Sequence, residues 1–176
     1  MKKLIAILLV LVLAVSLVAC GTDKENNKGG NGEGGGNNNN KPADPGYVFK
    51  HGTTEIAMNA PAANIIAALG EPQSYSEQAS CAFTGLDKTY NYGSFVLYTY
   101  PLDDVDYVYS LFLQDDGVAT PEGITIGSSK ADVEAAYGAE NYNGTNAFEV
   151  TKGSGKLTII LENDVVSSVQ YVIITE

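Results

Sequence analysis

The 176-residue chain contains no arginine and no tryptophan, one histidine (His51) and two cysteines (Cys20 and Cys81). Its ten basic residues are all lysine and face 21 acids, which gives a formal net charge of −11 at pH 7. The lack of arginine excludes a nucleic-acid site built on guanidinium forks, and that sign of charge argues against a basic groove. One histidine and two cysteines are too few to assemble a histidine-rich or cysteine-rich metal centre from one copy. No nucleophile, base and orienting group stand together, so the chain reads as a non-enzyme with no cofactor. Carboxylates do not change that: residues 46–176 hold 17 of them, and any pair could be chosen for glycoside chemistry. The length of that stretch suits one compact domain, or two small ones sharing a core.

Residues 1–19 have the form of a secretion signal, with Lys2 and Lys3 ahead of an apolar run from Leu4 to Val18 that only Ser16 interrupts. The run ends Leu17-Val18-Ala19-Cys20-Gly21, which resembles the lipobox of bacterial lipoproteins. That resemblance implies a lipidated Cys20, acylated more than once because a single chain anchors only marginally. The partner at this end is then the membrane, with the chain held on the extracytoplasmic face. Residues 20–45 follow as the lipid-bearing cysteine and a Gly/Asn-rich linker with Asn37 to Asn40 in a row. Such a composition cannot bury apolar surface, so disorder and a leash of roughly 25–30 Å are expected.

The segment Ile56–Gly70 matches Ile124–Gly138 at an offset of 68 without a gap, with five identical positions and three apolar swaps. Chance is a poor explanation for that self-match, which divides the remainder into repeats at 46–118 and 119–176. Each copy reads as a short capped helix: Ser128 or Ser129 with Asp132 and then Gly138 in the second, Asn59, Pro61 and Gly70 in the first. The helices are expected to face a sheet through Ala63, Ile66 and Ala67, and through Val133, Ala136 and Tyr137. Strand patterns follow at about 77–83, 90–100 and 106–114, then at 148–152, 156–162 and 167–175. Short acidic turns at Pro101–Asp104 and Glu162–Asp164 occupy matching places, and 47–50 with 53–57 read as a hairpin. The expected fold is therefore α+β, two tandem repeats of a short helix packed on an antiparallel meander.

That plan, with its helix motif closed by Leu69-Gly70 or Tyr137-Gly138, resembles the tandem-repeat β-lactamase inhibitor protein family and the small lipoproteins of the outer-membrane barrel assembly machine. The stretches Ser80–Gly93, Thr99–Pro101 and Thr120–Gly138 are similar to a family of uncharacterised lipoproteins from Gram-positive gut bacteria. These resemblances imply the fold and the tether, and they carry over no contact residue and no activity.

Within the domain, Cys81 sits between Ser80 and Ala82 in an apolar strand-like segment, so a buried, inert thiol is expected. His51 stands in a Lys50-His51-Gly52 turn and reads as solvated. Asp103, Asp104, Asp106, Asp115 and Asp116 lack the spacing of a calcium loop, and solvated turns fit them better, so no metal site is assigned. Six of the 11 tyrosines fall between Tyr90 and Tyr109. In an unbroken strand Tyr90, Tyr92, Tyr98 and Tyr100 would share a face, with Phe95 and Leu97 pointing to the core. Two readings are open: a tyrosine binding surface for a protein or peptide, or rings that cover a helix or a sheet edge. The function favoured by the sequence is a membrane-tethered binding module, inhibitor-like in manner. The alternative is a lipoprotein that binds or senses a small ligand or Ca²⁺.

Overall fold

The computed structural model describes residues 46–174. The expected signal segment, Cys20 and the Gly/Asn linker lie outside the described residues. Strands β1 (Val48–His51) and β2 (Thr54–Ala57) form an antiparallel hairpin, and helix α1 (Ala63–Leu69) follows. Then come β3 (Ser74–Ala79), β4 (Leu86–Asn91), β5 (Phe95–Leu102) and β6 (Val105–Leu113). Helix α2 (Lys130–Tyr137) precedes β7 (Ala147–Lys152), β8 (Gly155–Glu162) and β9 (Val165–Ile173). The last seven strands make one antiparallel sheet in the order β3-β4-β5-β6-β9-β8-β7. The fold is α+β, mostly antiparallel sheet with two short helices.

The hairpins β5–β6 and β8–β9 are built alike. Each turns on two residues with positive φ, Asp103 and Asp104 (50° and 61°) in one and Asn163 and Asp164 (54° and 61°) in the other. Two left-handed positions in a row match the twist of the flanking strands, and Asn and Asp tolerate them. Each hairpin also has a one-residue register shift, beside Tyr98/Thr99 in one and, two residues nearer the turn, beside Ile160/Leu161 in the other.

The seam between them is β6 against β9, where Leu111 lies opposite Tyr171, flanked by Ser110 opposite Val172 and Phe112 opposite Gln170. Since β9 begins 60 residues after β6, Leu111 and Tyr171 stand at the same distance from their hairpin turns and lie opposite each other across the seam. Both are fully buried.

β6 and β9 overlap over only part of their lengths, and the chain ahead of each helix fills the edge left free. Asn59 N–H donates to the Val108 carbonyl (2.9 Å), Val108 N–H to Ala60 (2.9 Å) and Ala62 N–H to Asp106 (2.8 Å). In the other half Gly127 N–H donates to Val166 (2.8 Å), Val166 N–H to Ser128 (2.8 Å) and Lys130 N–H to Asp164 (2.9 Å). The strand edges that the stagger exposes are thereby satisfied rather than left as orphaned polar groups.

One face of the sheet carries the core. Phe95, Leu97, Val108, Leu111 and Leu113 meet Phe148, Leu157, Ile159, Val169 and Tyr171, and the β1–β2 hairpin covers them with Phe49 and Ile56. The Phe49 ring lies 5.7 Å from Phe95 and 6.1 Å from Tyr171, centroid to centroid. Each such side chain contributes roughly 1.5–3 kcal/mol by leaving water. Helix α2 has a capping box: Asp132 N–H donates to Ser129 Oγ, and Ser129 N–H donates back to the Asp132 carboxylate. It buries Val133, with Ala136 and Tyr137 half-buried beside it. Helix α1 departs from the expected face. Ile66 packs against the core as expected, but Ala63 and Ala67 are exposed and Ile65 and Leu69 take their place, because the larger side chains can reach the sheet where alanines cannot.

A second departure concerns strand number. The segment expected as one strand over 90–100 is two, β4 and β5, broken at Tyr92–Ser94. Gly93 supplies φ 89° there, and its N–H donates to Asn91 Oδ1 (2.7 Å).

Leu111→Ala is expected to cost roughly 2–5 kcal/mol by cavity formation at the seam. Ser129→Ala is expected to cost only about 1 kcal/mol, the worth of a helix cap. Urea denaturation of the full chain at pH 7 ranks the two.

Candidate functional site: the open face of the sheet

Residues paired across β4 and β5 have opposite parity, since Tyr90 lies opposite Leu97 and Tyr98 opposite Thr89. The break at Tyr92–Ser94 therefore divides the four tyrosines expected on one face. Tyr90 and Tyr92 belong to the core side, with Leu97 and Phe95; Tyr98 and Tyr100 belong to the opposite, open side. The Tyr90 ring packs 5.1 Å from Tyr75, and Tyr92 stacks on Phe95 at 5.1 Å. Burial holds both phenols above their ordinary pKa. Both rings are half-buried and pack against the core.

The open face over β5 and β6 is aromatic and apolar. Tyr98 (36% exposed), Leu102 (39%), Val105 (39%) and Tyr109 (41%) face outward. Tyr100 lies among them and is buried (9%), its ring 5.0 Å from Phe83, 5.8 Å from Tyr107 and 6.2 Å from Tyr109. Its hydroxyl donates to Asn59 Oδ1 at 2.7 Å, so this ring is pinned to the segment ahead of α1. Burial, and Tyr107 beside it, raise its pKa. The β8–β9 hairpin has the same turn and the same strand lengths, yet 60 residues on from Tyr98, Tyr100 and Leu102 it carries Thr158, Ile160 and Glu162.

The β3–β4 loop folds onto one end of this patch. Ser80 N–H donates to the Gly85 carbonyl (3.0 Å), while Ser80 Oγ accepts from the backbone N–H of Ala82 and Phe83. The loop encloses a cleft of about 460 Å³ lined by Ser80, Cys81, Phe83, Asp87, Tyr100 and Tyr109 among others. Cys81, expected to be buried in a strand, is exposed here. Serine-capped turn chemistry around Ser80 and Gly85 outweighs the short apolar pattern, and Phe83 rather than Cys81 takes the apolar contact. His51 ends β1, its ring 5.1 Å from Phe95 on the core side, so it is not a base for the thiol.

The acids divide by role. Asp103 and Asp104 form the hairpin turn, and Asp115 accepts the N–H of Gly117 at 2.8 Å. Asp106 pairs with Lys88 at 2.6 Å and raises the pKa of that ammonium. Among the described residues, no group of three or more His, Cys, Asp or Glu side chains gathers as a metal cluster. The five lysines of residues 46–176 are all engaged. Lys50 pairs with Glu55, Lys88 with Asp106, Lys130 with Glu134 and Lys156 with Glu149, while Lys152 lies 5.9 Å over the Tyr47 ring. With 17 acids against these five, most carboxylates carry no cation of this chain.

Comparison with protein-family models, with curated proteins and with solved structures returned no match.

Two outcomes check this geometry. In the folded full chain without denaturant, Cys81 is expected to react fully with Ellman's reagent, and a thiol that stays silent until unfolding would contradict its exposure. The second is alkaline. Burial raises the pKa of Tyr47, Tyr90, Tyr92, Tyr100, Tyr137 and Tyr171, so above about pH 10 the unfolded chain gives up protons that the fold retains. The urea midpoint is expected to be insensitive to these groups below that pH and to fall above it. Tyr137→Phe with Tyr171→Phe should flatten the fall.

Proposed function

We propose that the chain is a lipid-anchored extracytoplasmic binding module, non-enzymatic, which engages a cationic protein or peptide segment on the open face over β5 and β6. In this reading the two halves arose by duplication, and Cys20 carries the anchor. The matched hairpins, the Leu111–Tyr171 pairing and the two sets of helix-leading hydrogen bonds support the duplication. The β-lactamase-inhibitor-like likeness rests on that plan alone.

The observation that carries the binding reading is the contrast between the hairpins. A hairpin with the same turn and strand lengths, its register shift two residues nearer the turn, carries Thr158, Ile160 and Glu162 at the places counted from the turn, so the turn and strand lengths do not themselves call for the exposed Tyr98 and Leu102. Exposed aromatics on a rigid sheet give large contact area at low entropic cost, and clusters of this kind mark interaction sites. Charge supplies the sign of the partner. Residues 46–176 carry −12, and their own lysines are already engaged, so a segment rich in lysine or arginine is drawn in and an acidic one repelled.

The test is cross-linked capture from envelope and secreted fractions by the full chain, followed by affinity measurement on the purified partner. Tyr98→Ser with Leu102→Ser should weaken that affinity roughly tenfold or more while leaving the unfolding midpoint unchanged. Raising salt should weaken it further. Unchanged affinity, or a parallel loss of stability, overturns the assignment of this face. Separately, Cys20→Ala should move the protein from the membrane to the soluble fraction.

A further inference from the structure

We infer that the cleft under the β3–β4 loop takes an alkylammonium group, the tip of a lysine side chain on the partner proposed above, a reading on which this inference rests. The cleft is lined mainly by apolar and aromatic groups and holds a single charge. Phe83, Tyr100 and Tyr109 give it three rings set at angles, 40° between Phe83 and Tyr100 and 76° between Tyr100 and Tyr109. Ring faces carry negative potential and attract a cation within about 6 Å of the centroid. The Tyr100 hydroxyl is already spent on Asn59, so this residue offers its ring and not a donor.

Asp87 is the one charged residue among those lining the cleft. Among the described residues its carboxylate makes no salt bridge, although four of the five lysines in this stretch are paired with other acids. Lys88, its neighbour in sequence, points to the other side of the sheet and pairs with Asp106. A carboxylate beside three rings, with no cation of its own, suits an ammonium and repels an anion. The volume of about 460 Å³ falls within the range of ligand-holding clefts, roughly 300–1,000 Å³, and leaves room for an aliphatic stem behind the charge.

Cys81 on the cleft wall provides the readout. The full chain is treated with N-ethylmaleimide in n-butylammonium chloride, in equimolar sodium chloride and in equimolar n-butanol, and labelling is followed on the Cys81 peptide by mass spectrometry. The butylammonium ion should slow Cys81 severalfold in a saturable manner, while salt and alcohol leave the rate unchanged. Asp87→Asn should remove the protection, and so should Phe83→Leu, which keeps the apolar bulk but not the ring. Circular dichroism checks that both variants are folded. Equal protection by n-butanol would make the cleft an apolar slot, and no protection by the cation would leave it without a ligand; either result overturns the inference. The captured partner separates the two levels. If Asp87→Asn leaves its affinity intact while Tyr98→Ser with Leu102→Ser abolishes it, the inference fails and the face stands. If the face variants have no effect, the reading beneath the inference fails, even where the ammonium protects.

Discussion

The structure depends on one pairing, Leu111 of β6 against Tyr171 of β9, at the centre of the seam that joins two meanders into a single sheet. Both side chains are fully buried, and the Phe49 ring of the β1–β2 hairpin packs over Tyr171. The seam joins the apolar faces of the two meanders into one continuous core. With it, one face is covered over β5, β6, β9 and β8, while β3 at the edge stays exposed. The stagger of β6 against β9 also fixes where each helix begins, because the segment ahead of the helix takes up the free half of the neighbouring strand.

A sheet covered on one face leaves the other available, and the two hairpins use it differently. The β8–β9 hairpin presents threonine, glutamate and isoleucine there, as an antiparallel sheet facing water is expected to do. Across β5 and β6 the residues at equal distance from the turn are tyrosine and leucine, and a buried ring, Tyr100, anchors the rest to Asn59 and to the β3–β4 loop. The patch is thus rigid before anything meets it, which lowers the cost of association. The surrounding excess of carboxylates gives the surface its sign.

Much of the fold was legible along the chain because its signals are local. Asn163-Asp164 announces a tight hairpin, Ser129 with Asp132 announces a helix start, and Gly70 and Gly138 mark helix ends. The division of Tyr90 and Tyr92 from Tyr98 and Tyr100 was not read, although Asn91, Gly93 and Ser94 are ordinary turn residues. The dense run of tyrosines around them has the alternation of a strand, and a turn there inverts the parity of everything beyond it. Nor could the seam be read, since pairing between strands 60 residues apart leaves no local trace. Cys81 was misplaced for a related reason: Ser80 folds its backbone into a loop through hydrogen bonds that hydrophobicity does not register. The cleft that results was therefore out of reach of the sequence.

The central claim is that one face holds the protein together and the other meets a partner, and tyrosine nitration mapped by mass spectrometry tests it most directly. In the free full chain, Tyr75, Tyr98 and Tyr109 should react first and Tyr171 last, following their exposure. On addition of the purified partner, Tyr98 and Tyr109 should become protected while Tyr75, exposed on the core side at the far edge of the sheet, continues to react. Protection of Tyr75 with Tyr98 and Tyr109 still reactive would contradict the account and move the interface to the other side.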